Sequence, residues 1–380
     1  NLKSEKIIDA EIGNLDDMYI PRVKWTQDPN TLCVFKMNRH QNHLQLYAVD
    51  ALSGNSEIML DEKNKFYIDI TNNLTFLKNG REFIWTSEKS GFNHIYLYNM
   101  KGEELRAITS GEYDVTNFYG INEERGEIFY QAAELSPMQR EIYRVNLSGK
   151  RKKNLSKQVG VNSGRFSSTM DYHTMTYSSI NTAPVYTVRD RNGKKLRILE
   201  ENKQVAPLQT ENEVQSMEFF SFNTSENVQL NGWMIKPPNF NENNKYPVFM
   251  YLYGGPGSQQ VMDSWRGTNY WWFQMLAQQG YVVACVDNRG TGARGEEFKK
   301  STYLQLGHKE TIDQIEAAKY LGKLNFTDPS RIGIFGWSYG GYMSSLCLLK
   351  GNDVFKAAIA VAPVTSWRWY DSIYTERYMR

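Results

Sequence analysis

An apolar run ending at Phe335 leads directly into Gly336-Trp337-Ser338-Tyr339-Gly340, with Gly341 and Tyr342 behind it. A serine hydroxyl is a weak nucleophile unless it is presented on a sharp, exposed turn, with backbone N–H groups aimed at the oxygen that becomes negative. Glycines two residues before and two after the serine let the chain pass beneath it where a Cβ would clash. This strand, turn and helix pattern makes Ser338 a candidate nucleophile. It makes the N–H of Tyr339 the expected first oxyanion donor, at the positive end of a helix dipole. A second donor is expected from Tyr253-Gly254-Gly255-Pro256 at the end of a buried-type strand, where the Tyr253 hydroxyl can itself donate. The implied chemistry is acyl transfer through a covalent serine intermediate.

Such a serine needs a base. In parallel sheets that carry this turn, the order along the chain is serine, acid, histidine. All five histidines (His40, His43, His94, His173 and His308) precede Ser338. The first four are expected at the surface or at strand edges, and His308 stands on the wrong side of the serine. Asp353 and Asp371 follow it but come before the strands that would carry the acid. The chain on its own is therefore expected to be inactive, holding a nucleophile without its base.

The elements that position Ser338 lie in residues 211–380. Val248–Leu252, Tyr281–Val286 and Ala357–Val361 are unbroken apolar runs, alternating with helical patterns. One such pattern, Thr311 to Leu324, places Ile312, Ile315, Ala318 and Leu321 on one face. Alternation of this kind implies a parallel doubly wound sheet covered on both faces. Residues 1–210 differ in character. Tyr47, Tyr96, Tyr143 and Tyr186 sit in equivalent strand patterns spaced 49, 47 and 43 residues apart, each followed by a turn glycine, Gly54, Gly102, Gly149 and Gly193. Hairpin strands at that period indicate about four β-propeller blades, expected to be the later blades of a larger ring. The tyrosines are expected to serve packing.

Composition narrows the class. A net charge of +2 gives no electrostatic reason for a nucleic-acid partner, and no apolar stretch is long enough for a membrane span. Cys33, Cys285 and Cys347 cannot form a disulfide framework and lack metal-ligand spacing, so neither a metal nor another cofactor is expected. Few cysteines and a start at Asn1 fit an exported protein, in the bacterial periplasm or at the cell surface, whose signal region is not in this sequence.

Gly336-Trp337-Ser338-Tyr339-Gly340-Gly341-Tyr342, Ala360-Val361-Ala362-Pro363-Val364 and Tyr370-Asp371-Ser372-Ile373-Tyr374-Thr375-Glu376-Arg377-Tyr378-Met379 resemble the dipeptidyl peptidase IV branch of the prolyl oligopeptidase family. The resemblance implies a propeller joined to an α/β-hydrolase domain, here truncated at its C-terminus. It implies a serine exopeptidase that releases X-Pro or X-Ala dipeptides from peptide N-termini, acting as a homodimer on peptides with penultimate proline. By the same resemblance Val364, Trp367, Tyr370 and Tyr374 form the proline pocket, beside Ser338, Tyr253 and Tyr339. Flat aromatic walls suit a pyrrolidine ring that has no N–H to satisfy. The branch's amine-binding glutamate pair does not match Glu103-Glu104, Glu123-Glu124 or Glu296-Glu297, and is expected before Asn1, as the acid and histidine are expected beyond Arg380. A tripeptidyl or acylaminoacyl peptidase on the same scaffold is one alternative. A non-catalytic binding protein with a decayed hydrolase domain is another.

Overall fold

A computed structural model of the chain describes residues 6–14 and 16–380. The first half forms four antiparallel four-stranded sheets, spanning 18–63, 75–107, 115–154 and 161–200, with strands in sequence order. Tyr47, Tyr96, Tyr143 and Tyr186 all lie in the third strand of their sheets. Gly54, Gly102, Gly149 and Gly193 follow at φ between 73° and 87°, a left-handed conformation that glycine adopts without cost. Adjacent sheets share cores. Phe35 of the first meets Trp85 of the second at 5.9 Å, and Ile84 and Ile95 of the second pack in one cluster with Ile128 and Tyr130 of the third. These are propeller-like blades. Tyr96 and Tyr143 are buried, Tyr143 stacking on its cross-strand partner Tyr130 at 5.4 Å, whereas Tyr186 is exposed at 39%.

Two of the blade histidines depart from expectation: His94 and His173 are buried, not at the surface. His94 lies edge-on to Tyr113 at 5.1 Å with its nitrogens facing Thr109 Oγ1 and the Gly111 carbonyl. His173 stacks on Phe166 at 4.5 Å, and burial pulls its pKa down to about 4, so it serves as a neutral aromatic plate.

The second half is built on one six-stranded sheet in the order Met217–Asn223, Gln229–Ile235, Val282–Asp287, Tyr246–Leu252, Thr327–Trp337 and Phe355–Val361. The last four strands are parallel, and the first two add antiparallel to one edge, so the sheet is mixed. Val282, Ala284 and Val286 enter the core on one face, and Val283 and Cys285 the core on the other, which is the alternation a doubly covered strand requires. Helices Thr268–Gln278, His308–Gly322 and Tyr339–Lys350 cover it. All three cysteines are buried free thiols. No helix of the described residues is long and apolar enough to cross a membrane.

The expected apolar face of the helix at 308–322 needs correction. Ala318 and Leu321 are buried, but Ile312 and Ile315 are only half-buried, and Glu310, Asp313 and Gln314 lie fully inside. Polar side chains occupy the buried stripe because each has a partner brought from elsewhere in the chain.

Candidate active site

Ser338 sits between the strand Thr327–Trp337 and the helix Tyr339–Lys350, at φ 57° and ψ −115°. A non-glycine residue in this region is strained, and the strain is what lifts the hydroxyl out of both elements. Close backbone passage holds the turn. A Cβ on Gly336 would lie 2.3 Å from the Gly340 carbonyl carbon, and one on Gly340 would lie 2.4 Å from the Leu252 oxygen. The Ser338 N–H is already engaged with the Val361 carbonyl at 2.9 Å.

Around the elbow the structure assembles an aromatic wall. The Tyr339 ring is 6.1 Å from Tyr253 and 5.6 Å from Trp367, centroid to centroid. Trp367 stacks on Tyr374 at 5.8 Å and 12°, and Tyr370 stands edge-on to both, at 5.7 and 5.3 Å. Val364 is buried in the loop that leaves the strand Phe355–Val361. Tyr253, Tyr339, Trp367, Tyr370 and Tyr374 are therefore brought together in one ring cluster, joined to the elbow through Tyr339, the residue that follows Ser338. Tyr253 and Tyr374 also line a cavity of about 760 Å³ between the blades and the second half, with Glu62, Asp69 and Arg140 on the blade side. Burial, and then the nearby Tyr370, raise the Tyr253 pKa, so the phenol keeps its proton and remains a donor.

Among the described residues no histidine hydrogen-bonds Ser338. His308 opens its helix with an exposed ring. Asp371 caps the helix Ser372–Met379, accepting from the Tyr374 N–H at 2.8 Å, and Asp353 lies exposed. Glu296 is structural, bonded to Asn64 and Lys300.

Two supporting groups had no local sequence signal. Glu310, fully buried, accepts from the Tyr339 hydroxyl at 2.6 Å, and burial pushes its pKa to about 7. Gln314 donates to Asn288 Oδ1 at 3.0 Å, and the Asn288 amide donates to the Gly254 carbonyl at 3.1 Å, which fixes the loop behind Tyr253. Beside them Arg289 and Asp313 form a buried ion pair at 2.7 Å. Only the helical spacing of Glu310, Asp313, Gln314 and Ala317, read as one stripe without regard to polarity, could have exposed this face.

Comparison with known proteins follows the same division. Residues 1–184 match the dipeptidyl peptidase IV (DPP IV) N-terminal region, and residues 267–380 match the prolyl oligopeptidase family. The crystal structure of Porphyromonas gingivalis dipeptidyl peptidase 4 superposes with a TM-score of 0.95 at 45% identity, over 100% of this chain and 54% of that one. A putative dipeptidyl aminopeptidase IV from Bacteroides ovatus gives 0.88 at 28%, over 97% and 55%. A probable dipeptidyl peptidase 4 of Aspergillus flavus is 30% identical over 393 residues, covering 100% of this chain and 51% of its own length. The chain thus spans about half the length of the relatives it matches. With blades, elbow and aromatic cluster all falling within these matches, the chain belongs to the dipeptidyl peptidase IV/prolyl oligopeptidase family of serine peptidases.

Proposed function

We propose that the full-length protein is a serine exopeptidase releasing X-Pro, and less readily X-Ala, dipeptides from peptide N-termini. Residues 1–210 contribute propeller blades and residues 211–380 the catalytic elements. The observation that carries this reading is the wall of Trp367, Tyr370 and Tyr374 standing beside the Ser338 elbow. A proline ring enters between the aromatic faces, gaining contact area without leaving any hydrogen-bond group unpaired. Ser338 Oγ attacks the carbonyl carbon that follows, giving its proton to a general base. The Tyr339 N–H and the Tyr253 hydroxyl donate to the oxygen that becomes negative, and collapse releases the shortened peptide and leaves an acyl-serine for water. The base, its carboxylate and the amine-binding glutamates are assigned to sequence outside residues 1–380. An exported location and a homodimer complete the proposal.

The test is hydrolysis of a Gly-Pro chromogenic amide. The full-length protein is expected to be active and residues 1–380 alone inactive, with Ser338→Ala lowering full-length kcat by at least about a thousandfold. Unchanged activity in Ser338→Ala would sink the assignment.

A further inference from the structure

The turn that joins strands Thr31–Asn38 and His43–Asp50 of the first blade carries Gln41, which is completely buried and held at φ 53°. A left-handed backbone costs a non-glycine residue about 1–2 kcal/mol, and glycine or asparagine would suit such a turn better. The turn's own needs are met by the Gln41 backbone, whose N–H donates to Asn38 O at 2.9 Å and whose carbonyl accepts from Ile68 N at 2.7 Å. The side chain is left over, and it leaves the blade altogether. Its Nε2 donates to the Ile373 carbonyl at 2.6 Å, and its Oε1 accepts from Arg377 Nε at 2.7 Å. Ile373 and Arg377 stand one turn apart on the helix Ser372–Met379, so Gln41 grips that helix at two successive turns. Arg39, two residues earlier, adds a fork onto both oxygens of Glu376, its Nε at 2.9 Å, and the Tyr19 hydroxyl donates to the same carboxylate.

This helix is only eight residues long, too short to hold its own geometry in isolation. It carries Tyr374, whose ring stacks on Trp367 and meets Tyr370. The position of the aromatic wall is thus referred to the first blade and not only to the sheet that carries Ser338.

We propose that Gln41 is a positioning residue for the aromatic pocket: from the blade, seconded by Arg39 on Glu376, it holds the Tyr374 helix in the register that makes the pocket select proline over alanine. This rests on the post-proline peptidase reading above. A flat slot discriminates between a ring and a methyl group only if its walls stay at ring spacing.

Gln41→Gly in the full-length protein isolates the side chain, because glycine accepts φ 53° without strain and the turn's backbone bonds remain. Sites that fold correctly are counted by labelling Ser338 with a small fluorophosphonate, which needs no proline pocket. Per labelled site, KM for a Gly-Pro amide is expected to rise about tenfold while kcat changes by less than about twofold, the pattern of lost binding contacts. The Pro-to-Ala ratio of kcat/KM is expected to fall at least about fivefold, within the range that small apolar differences can produce. Wild-type KM and wild-type selectivity in a fully labelled variant would overturn the proposal. If Gln41→Gly loses labelled sites, Gln41→Glu decides on the same readouts: it keeps the volume and the Arg377 contact but cannot donate to Ile373, so a selectivity equal to wild type overturns the proposal and a lowered one supports it. A wild-type enzyme that ignores Gly-Pro amides, whatever the variants do, overturns the peptidase reading itself.

Discussion

Glu310 shows how much of a site can rest on one residue with no motif around it. Its carboxyl is fully buried, one oxygen accepts from the Tyr339 hydroxyl, and the other finds no partner among the described residues. Loss of hydration dominates, the Tyr339 hydrogen bond opposes it, and the balance sets a pKa of about 7 against an ordinary 4.5. The folded state therefore binds a proton more tightly than the unfolded one. The resulting stability is fully present below pH 4.5 and is lost as pH rises through about 7. Glu310→Gln keeps an acceptor for Tyr339 without any charge to bury. Thermal unfolding measured from pH 4.5 to 8 is expected to show the variant close to wild type at the acid end and progressively more stable than wild type toward pH 8. A constant difference across that range would mean the carboxyl does not titrate there. The turn at Ser338 was legible because the requirements of an elbow are local in sequence, whereas Trp367, Tyr370 and Tyr374 were singled out only through the family resemblance. Glu310 was not legible, since a glutamate in an amphipathic pattern reads as solvated until the ring of Tyr339 is seen above it.

The elbow is an element-scale device, and its tolerance can be tested with one glycine of the helix that follows Ser338 and one of the strand that leads to it. Gly340 lies against the strand that leads to Tyr253: an added Cβ would sit 2.4 Å from the Leu252 oxygen and 3.2 Å from the Tyr253 Cα. Both obstacles are backbone, so neither can rotate away. Gly333, in the strand leading to Ser338, offers a contrast, with the nearest atom at an ordinary 3.6 Å. Gly340→Ala is expected to lower unfolding free energy by about 1–3 kcal/mol, the usual range for overpacking, and to cut kcat by parting Tyr253 from the serine. Gly333→Ala is expected within about 0.5 kcal/mol of wild type. Chemical denaturation of both variants checks this, and equal losses would show that the close approach does not hold the turn. At this scale the blades and the alternating sheet were readable from periodicity. The helix at 308–322 was misread as a stripe containing Ile312 and Ile315. Beside Ala318 and Leu321 its inner face holds Glu310, Asp313, Gln314 and Ala317, the polar ones buried because Tyr339, Arg289 and Asn288 come from elsewhere in the chain to pair with them. Hydrophobic periodicity cannot register a polar residue whose partner is distant in sequence.

Across the whole molecule, the short helix Gly295–Lys300 locks the two halves together. The Gly295 N–H donates to Asp114, just before the third sheet, at 2.9 Å, and the Glu296 N–H donates to Gly91 O, in a turn of the second, at 2.8 Å. Lys300, 1% exposed, reaches Glu88 at 2.9 Å, Glu296 at 2.8 Å and the Tyr67 carbonyl at 2.5 Å, while Lys299 bonds Glu88 at 2.5 Å and Asp69 at 2.6 Å. Lys300, taken out of water almost entirely, holds its charge only while its counterparts are in place, and removal of one partner from a buried pair costs about 3–5 kcal/mol. Here the loss is cushioned, since Glu88 keeps Lys299 and Glu296 keeps Asn64. Lys300→Met retains most of the stem's packing and is expected to destabilise toward the lower end of that range. Because Lys300 and Glu88 touch, Lys300→Met and Glu88→Gln are not expected to add, with a coupling of at least about 1 kcal/mol in the double-mutant cycle. Strictly additive losses would mean that the clamp acts through packing of the helix alone. The consequence reaches the site, since Tyr67, whose carbonyl Lys300 holds, also packs edge-on against Tyr378 at 4.9 Å, one turn beyond Tyr374. A loosened clamp should therefore raise KM for the Gly-Pro amide in Lys300→Met at temperatures well below its unfolding transition, because the blades and the pocket share that contact.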